Sequence, residues 1–258
     1  MPGERAASES WYFGCARCGK CCNSAPQLTL PELFHHRARF VGCLGIRRRG
    51  ARAELFLHAF SYTSQASCPA LLGDGRCAIH DDRKPSVCSV VPLDPSLPDS
   101  EQHSVLAQRR REAHYFGADC IRDQPAPGFR EVTRRLRVVD PDAQSRLAHY
   151  REEQAAEERR WGEATARVLG PELFDHPERV RALPEHGALS ISPVPVLSVV
   201  AEASPAGREQ VLVYLAAQRE LQEQLIAKAL ARKNPADRAD TALLRKLLQH
   251  GQSFAKRL

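Results

Sequence analysis

The run Cys15-Ala16-Arg17-Cys18-Gly19-Lys20-Cys21-Cys22 constrains this chain more than any other feature, because it places four thiols within eight residues. Thiolates are soft donors that take zinc, copper(I) and iron–sulfur clusters in preference to magnesium or calcium. The Cys-x-x-Cys-x-x-Cys spacing lets three sulfurs of one short loop converge on one centre, and Gly19 can supply the positive φ that a tight wrap requires. The doublet adds a second constraint. In an extended backbone, neighbouring side chains point to opposite sides, so Cys21 and Cys22 suit two ions, or two edges of a cluster, better than one mononuclear ion.

The count of thiols points the same way. Cys15, Cys18, Cys21, Cys22, Cys68, Cys77, Cys88 and Cys120 are the candidate metal ligands among the nine cysteines. A structural zinc or a cubane ordinarily takes four. A polynuclear site or two adjacent sites, with more than one metal ion, is therefore expected. Bacterial ferredoxins use the same three-cysteine spacing and a further cysteine before proline, and Cys68-Pro69 offers such a pair far along the chain. Cys43 falls outside the pattern and reads as a small buried residue.

Compartment decides between metal and disulfide. The first residues, Met1 to Ala6, lack the apolar core of a secretory signal. The most apolar stretch, Ala188 to Val200, is too short and too interrupted by Ser and Pro to span a bilayer. The cytoplasm is the expected location, and in a reducing compartment dense cysteine means metal or redox chemistry before disulfides. At 258 residues with 43% hydrophobic content the chain can build a core without staples. Its net charge of +6 lies largely in arginine runs such as Arg47-Arg48-Arg49 and Arg109-Arg110-Arg111. Such runs are ordinarily solvated faces, so nucleic acid is not an expected partner. A protein partner, or a protein or peptide substrate, is the alternative, although the apolar stripes of the helices read first as core packing.

No cysteine follows Cys120, and beyond it the composition turns to Ala, Arg, Glu, Gln and Leu. The expected organisation is a cysteine-cluster metal-binding module over residues 1–125 and a helical region over 126–258, joined at Asp123 to Gly128. Leu28 to Phe34 reads as an extended segment turning into a helix, with Thr29 or Leu30 near the N-cap and Pro31 near N1. Leu55, Leu57 and Ala59 alternate in a manner that favours a strand. Helices are expected over Ser100 to Phe116, from Asp140-Pro141 to Gly170, from Ser204-Pro205 to Asn234, and onward to Gly251. The fold class is thus expected to be mainly α, with a loop-rich, metal-stabilised cysteine module and a helical C-terminal region.

The segment Phe13-Gly14-Cys15-Ala16-Arg17-Cys18-Gly19-Lys20-Cys21-Cys22 resembles the signature of the CxxCxxCC family, the YkgJ-like cysteine-cluster proteins. The likeness continues through Leu28-Thr29-Leu30-Pro31-Glu32 and Cys68-Pro69-Ala70-Leu71. It resumes in Gly75-Arg76-Cys77-Ala78-Ile79-His80 and ends in Arg83-Lys84-Pro85-Ser86-Val87-Cys88-Ser89-Val90-Val91-Pro92. That family is described as a zinc- or iron-chelating domain and often as iron–sulfur proteins, so the resemblance implies an iron–sulfur cluster, with zinc the second choice. Lys84 stands between the arginine and proline that are usually adjacent, His80 where tyrosine is common and Ser89 where arginine is common. His80 is a candidate extra ligand, although packing beside the site is the plainer reading. Arg17, Lys20, Arg76, Arg83 and Lys84 are placed in sequence to lower thiol pKa values, and Trp11, Tyr12 and Phe13 to shield the site.

Three functions follow from these readings. One is a cluster protein with a redox or protein-modifying role, and another is a zinc-stabilised interaction module without catalysis. The layout is also similar to that of flagellin lysine methylases, which would imply S-adenosylmethionine-dependent protein methylation. No glycine-rich strand–turn–helix, G-x-S-x-G, P-loop or H-E-x-x-H motif stands out, so no catalytic residue is assigned.

Overall fold

The computed structural model describes residues 9–50, 52–65, 67–112, 120–185 and 187–258. In chain order the elements are β1 (Ser10–Phe13), β2 (Gln27–Leu28), α1 (Leu30–His35), β3 (Gly42–Arg49) and β4 (Arg52–Ala59). These are followed by α2 (Ser86–Ser89), α3 (Gln102–Arg111), β5 (Ile121–Arg122), β6 (Arg130–Arg134), β7 (Arg137–Val138) and α4 (Pro141–Glu157). The rest are α5 (Glu163–Leu169), α6 (Pro177–Arg181), β8 (Leu189–Ile191), α7 (Val194–Ala203), α8 (Pro205–Arg232) and α9 (Asp237–Ala255). Wider helical turns of the π type occupy Glu158–Gly162 and Gly170–Phe174, on either side of α5.

The chain forms two compact units, each assembled from two separate stretches: Met1–Ser24 with Ala70–Glu153, and Ala25–Pro69 with Gln154–Leu258. In the first unit an antiparallel four-stranded sheet has the order β5-β1-β6-β7. Its core gathers Trp11, Val90, Leu93, Leu106, Ile121, Val132, Val138 and Leu147. Gln102, wholly buried at the start of α3, satisfies its amide by donating to the carbonyls of Asp94 and Leu97 and accepting from the Asp94 amide. A buried amide must find such partners or destabilise the fold, and here its bonds shape the 94–98 loop. Asp140 caps α4 through its Oδ1, which accepts from the Asp142 amide at 3.0 Å.

The second unit contains the sheet β2-β4-β3-β8, also antiparallel, and the long C-terminal helices. Thr29 is the N-cap of α1 in a full capping box: its side chain accepts from the Glu32 amide while Glu32 accepts from its backbone N–H. Val41, Cys43, Phe60 and Tyr62 pack with Ala229, Leu244 and Leu247 of α8 and α9. Burial of side chains such as Leu33 and Leu44 removes them wholly from water, worth about 1.5–3 kcal/mol each.

The mainly α expectation is overturned by these two four-stranded sheets, which make the protein mixed α/β with a helical C-terminal part. The cause is physical. Most of the strands have two to five residues, too few for period-two alternation to show. β3, one of the two longer strands, buries five consecutive residues and then carries three arginines, so it does not alternate either. The arginine run of β3 is matched across the hairpin and beyond: Arg47 binds Glu54 at 2.9 Å and Arg48 binds Glu185 at 2.6 Å. The helix expected over Ser100 to Phe116 is α3, and its final expected turn lies outside the described residues. α9 runs through Gly251 to Ala255.

Candidate metal centre

The cysteine loop leaves β1 and is tied at once to the last candidate ligand, since the Gly14 amide donates to the Cys120 carbonyl at 3.1 Å. Two left-handed residues then coil it. Arg17 has φ 52° and Gly19 φ 72°, and the Cys22 amide closes the turn on the Gly19 carbonyl at 2.8 Å. A non-glycine residue in this region costs roughly 1–2 kcal/mol, so the Arg17 conformation is held by its surroundings. Gly19 lies directly on a second loop, and a Cβ there would stand 2.3 Å from the Gly75 carbonyl oxygen and 2.7 Å from Leu71 Cδ1.

That second loop runs from Leu71 to Cys77, which pair as an isolated antiparallel bridge, with the Leu72 amide on the Arg76 carbonyl at 2.8 Å. Gly75 provides its positive φ of 82°. Asp74 braces the turn by accepting from the Arg76 amide and guanidinium, and those bonds hold its carboxyl below the usual range. Further on, Arg83 has φ 37° and Pro85 leads into α2, where the Cys88 amide donates to the Pro85 carbonyl at 2.8 Å.

The thiols fall into neighbourhoods. Cys120 is buried, shares a hydrogen bond with Cys18 and faces Cys15. Burial, with the negative charge developing on Cys18 and Cys15, pushes its pKa up despite a bond from the Ala16 amide. Cys21 is exposed and behaves in the opposite sense. A hydrogen bond from Cys22, with the charges of Lys84 and Arg109, outweighs partial desolvation and brings its pKa down to about 6. Hydrogen bonds and cations that favour the thiolate are the ordinary route to such a value.

Seven of the eight candidate ligands, Cys15, Cys18, Cys21, Cys22, Cys77, Cys88 and Cys120, belong to the first unit, whereas Cys68 is buried in the second. None of the nine cysteines forms a disulfide. Cys43 is fully buried in β3, and burial pushes its thiol up to about 12. His80 lies beside Asp81, with Nε2 at 4.0 Å from the carboxylate. Of the cations named from sequence, Lys84 acts on Cys21, while Arg76 is engaged with Asp74. Arg109 also acts on Cys21, although its run of three arginines reads in sequence as a solvated face. Trp11 belongs to the first unit's core and Phe13 packs against it.

Among the described residues no group of three His, Cys, Asp or Glu side chains stands arranged to hold a metal ion. The donor set nevertheless suits a thiolate-bound metal. It offers seven soft sulfurs in one unit, a loop coiled by two left-handed residues, and a glycine contact that a side chain would block. Among the described residues no helix is long and apolar enough to cross a membrane.

Comparison with known proteins adds one match. The model of the CxxCxxCC family, described as a putative zinc- or iron-chelating domain, matches residues 14–120. The span opens one residue before Cys15, ends on Cys120 and takes in all nine cysteines. Metal binding by this stretch is thereby supported. No curated protein and no solved structure matches the chain.

Proposed function

We propose that the cysteine loops form a thiolate metal centre carrying more than one metal ion, an iron–sulfur centre in preference to zinc, in a protein with a redox or protein-modifying role. The observation that carries this reading is the meeting of separate cysteine segments within one unit. Gly14 and Cys18 reach Cys120, and Gly19 rests on the loop that ends in Cys77. Cys15, Cys18, Cys21, Cys22, Cys77, Cys88 and Cys120 are the ligands assigned to it from that unit. An iron–sulfur cluster supplies one-electron storage at a potential set by its surroundings. The chain's own contribution is to keep Cys21 as thiolate through Cys22, Lys84 and Arg109, and to bury Cys120. A reducing compartment, the cytoplasm, keeps such thiols available.

The deciding experiment is metal and acid-labile sulfide analysis of protein purified without air. Iron and sulfide in near-equal amounts, with the visible absorption of a cluster, are expected. A colourless protein with zinc alone would overturn the iron–sulfur assignment, and one zinc per chain would overturn the polynuclear one.

A further inference from the structure

Three strands of the second unit's sheet place a nucleophile and a base across a glycine. β3 pairs with β4 so that Gly45 lies opposite Phe56 and Cys43 opposite His58, and with β8 so that Gly45 lies opposite Ser190. Directly paired residues share a face, and so do residues two apart. Gly45, Phe56, His58 and Ser190 therefore occupy one face of the sheet. A Cβ on Gly45 would stand 2.7 Å from Phe56 Cζ and 3.0 Å from His58 Cδ2. The missing side chain is what lets residues on the two flanking strands meet over β3.

Ser190 Oγ is 3.1 Å from His58 Nε2, and His58 Nδ1 is 2.9 Å from the Ala59 carbonyl oxygen. A carbonyl only accepts, so Nδ1 carries the proton, and Nε2 is left as the acceptor for the Ser190 hydroxyl. Burial disfavours the charged ring and lowers the His58 pKa, with the bond to the Ala59 carbonyl acting in the opposite sense. β8 is an edge strand and Ser190 is half-buried, so its oxygen is not sealed in the core. The Phe56 ring, 5.6 Å from the His58 ring, is half-buried beside the pair, and Arg47 stacks over it at 4.8 Å. A nucleophile bonded to a base that is itself oriented by a third group is the arrangement that activates serine.

We propose that Ser190 and His58 form an acyl-transfer site, with Ser190 the nucleophile and His58 its general base, acting on esters of small apolar acids. Ser190 Oγ bonds to the ester carbonyl carbon as its proton passes to His58 Nε2. The carbon–oxygen bond to the alcohol then breaks, and the departing oxygen takes that proton. Water repeats the sequence on the acyl-serine, releasing the acid and restoring Ser190, so the net reaction is ester plus water to acid plus alcohol. Phe56 offers the apolar wall for the acyl group. The site shares no residue with the metal centre and does not depend on it.

The test is labelling of the full chain with a fluorophosphonate probe, whose phosphorus–fluorine bond is exchanged for a bond to activated serine, followed by mapping of the adduct. Labelling at Ser190 is expected, and His58→Gln should slow it by about 100-fold or more, the usual worth of a general base. Hydrolysis of p-nitrophenyl acetate should fall in parallel in Ser190→Ala. The proposal is overturned if native protein labels elsewhere and not at Ser190, or if His58→Gln labels as fast as wild type. The wild-type adduct map decides the matter even where a variant does not fold.

Discussion

Gly19 rests on the carbonyl of Gly75 so closely that a methyl group there would stand 2.3 Å from the oxygen. The contact joins the loop of Cys15, Cys18, Cys21 and Cys22 to the loop that ends in Cys77, and both glycines use positive φ to make it. Gly19→Ala should therefore fail on two counts. The left-handed conformation costs about 1–2 kcal/mol for an L side chain, and the clash with backbone must move one loop, about 1–3 kcal/mol more. Thermal unfolding and metal content read the result, and both should fall together. An alanine variant with wild-type stability and full loading would show that the two loops are not coupled in this way.

Cys21 is expected to ionise near neutral pH. Its pKa of about 6 means that it is thiolate at neutral pH and becomes thiol as the pH falls through that value. In metal-stripped protein, iodoacetamide should modify Cys21 with a rate that rises between about pH 5 and 7 and then levels off. Lys84→Gln removes one of the cations that favour the thiolate, so the midpoint should move upward. Cys43, buried with its thiol pushed up to about 12, should stay unmodified until the protein unfolds. Peptide mapping after timed alkylation would show this ordering or refute it.

The parts legible in the sequence were those written in short-range chemistry. The cysteine run declares thiolate coordination by its spacing alone, and Thr29 with Glu32 spells a capping box in four residues. The Asp140 cap and the C-terminal helices were equally readable, because their signals repeat within a turn or two. The first unit's sheet was not readable. β5 and β7 have two residues each, and β1 takes its partners from more than a hundred residues away. Within the site, the approach of Arg109 to Cys21 depends on how α3 packs, and a run of arginines carries no sign of it. Ser190 and His58, 132 residues apart, meet only because Gly45 leaves a gap between them.

Glu157 ties two helical segments of the second unit together. Its Oε2 accepts from the Leu30 amide at 2.6 Å and from Trp161 Nε1 at 2.7 Å, while Arg160 donates to its Oε1 at 2.6 Å. Only 5% of the residue is exposed. Glu157→Ala strands a backbone donor and an indole donor away from water, at roughly 1–3 kcal/mol for each unmet group. Glu157→Gln keeps an acceptor oxygen and should cost clearly less. Urea unfolding of the three proteins gives the order, and equal losses in both variants would mean that charge, not acceptor capacity, is what Glu157 provides.

Asp237 makes the stability of α9 depend on pH. Ser64 Oγ donates to its Oδ1, and Arg232 donates to Oδ2 through Nε at 3.0 Å and Nη2 at 2.7 Å. These contacts, the Ser64 bond foremost, hold the carboxyl below its ordinary value. A carboxyl whose pKa is lower folded than unfolded stabilises the fold above the unfolded value, near pH 4, and loses that effect as the pH drops through the folded one. Asp237→Asn keeps the acceptor and loses the charge. Its Tm should fall below wild type at pH 7, with the gap closing as the pH falls below about 4 and the wild-type carboxylate protonates. Arg232 stacks over Tyr62 at 4.8 Å, so Arg232→Lys should lose that stacking geometry yet keep the pH dependence. A Tm offset for Asp237→Asn that is constant from pH 7 down to pH 2 would refute the ionic role of Asp237.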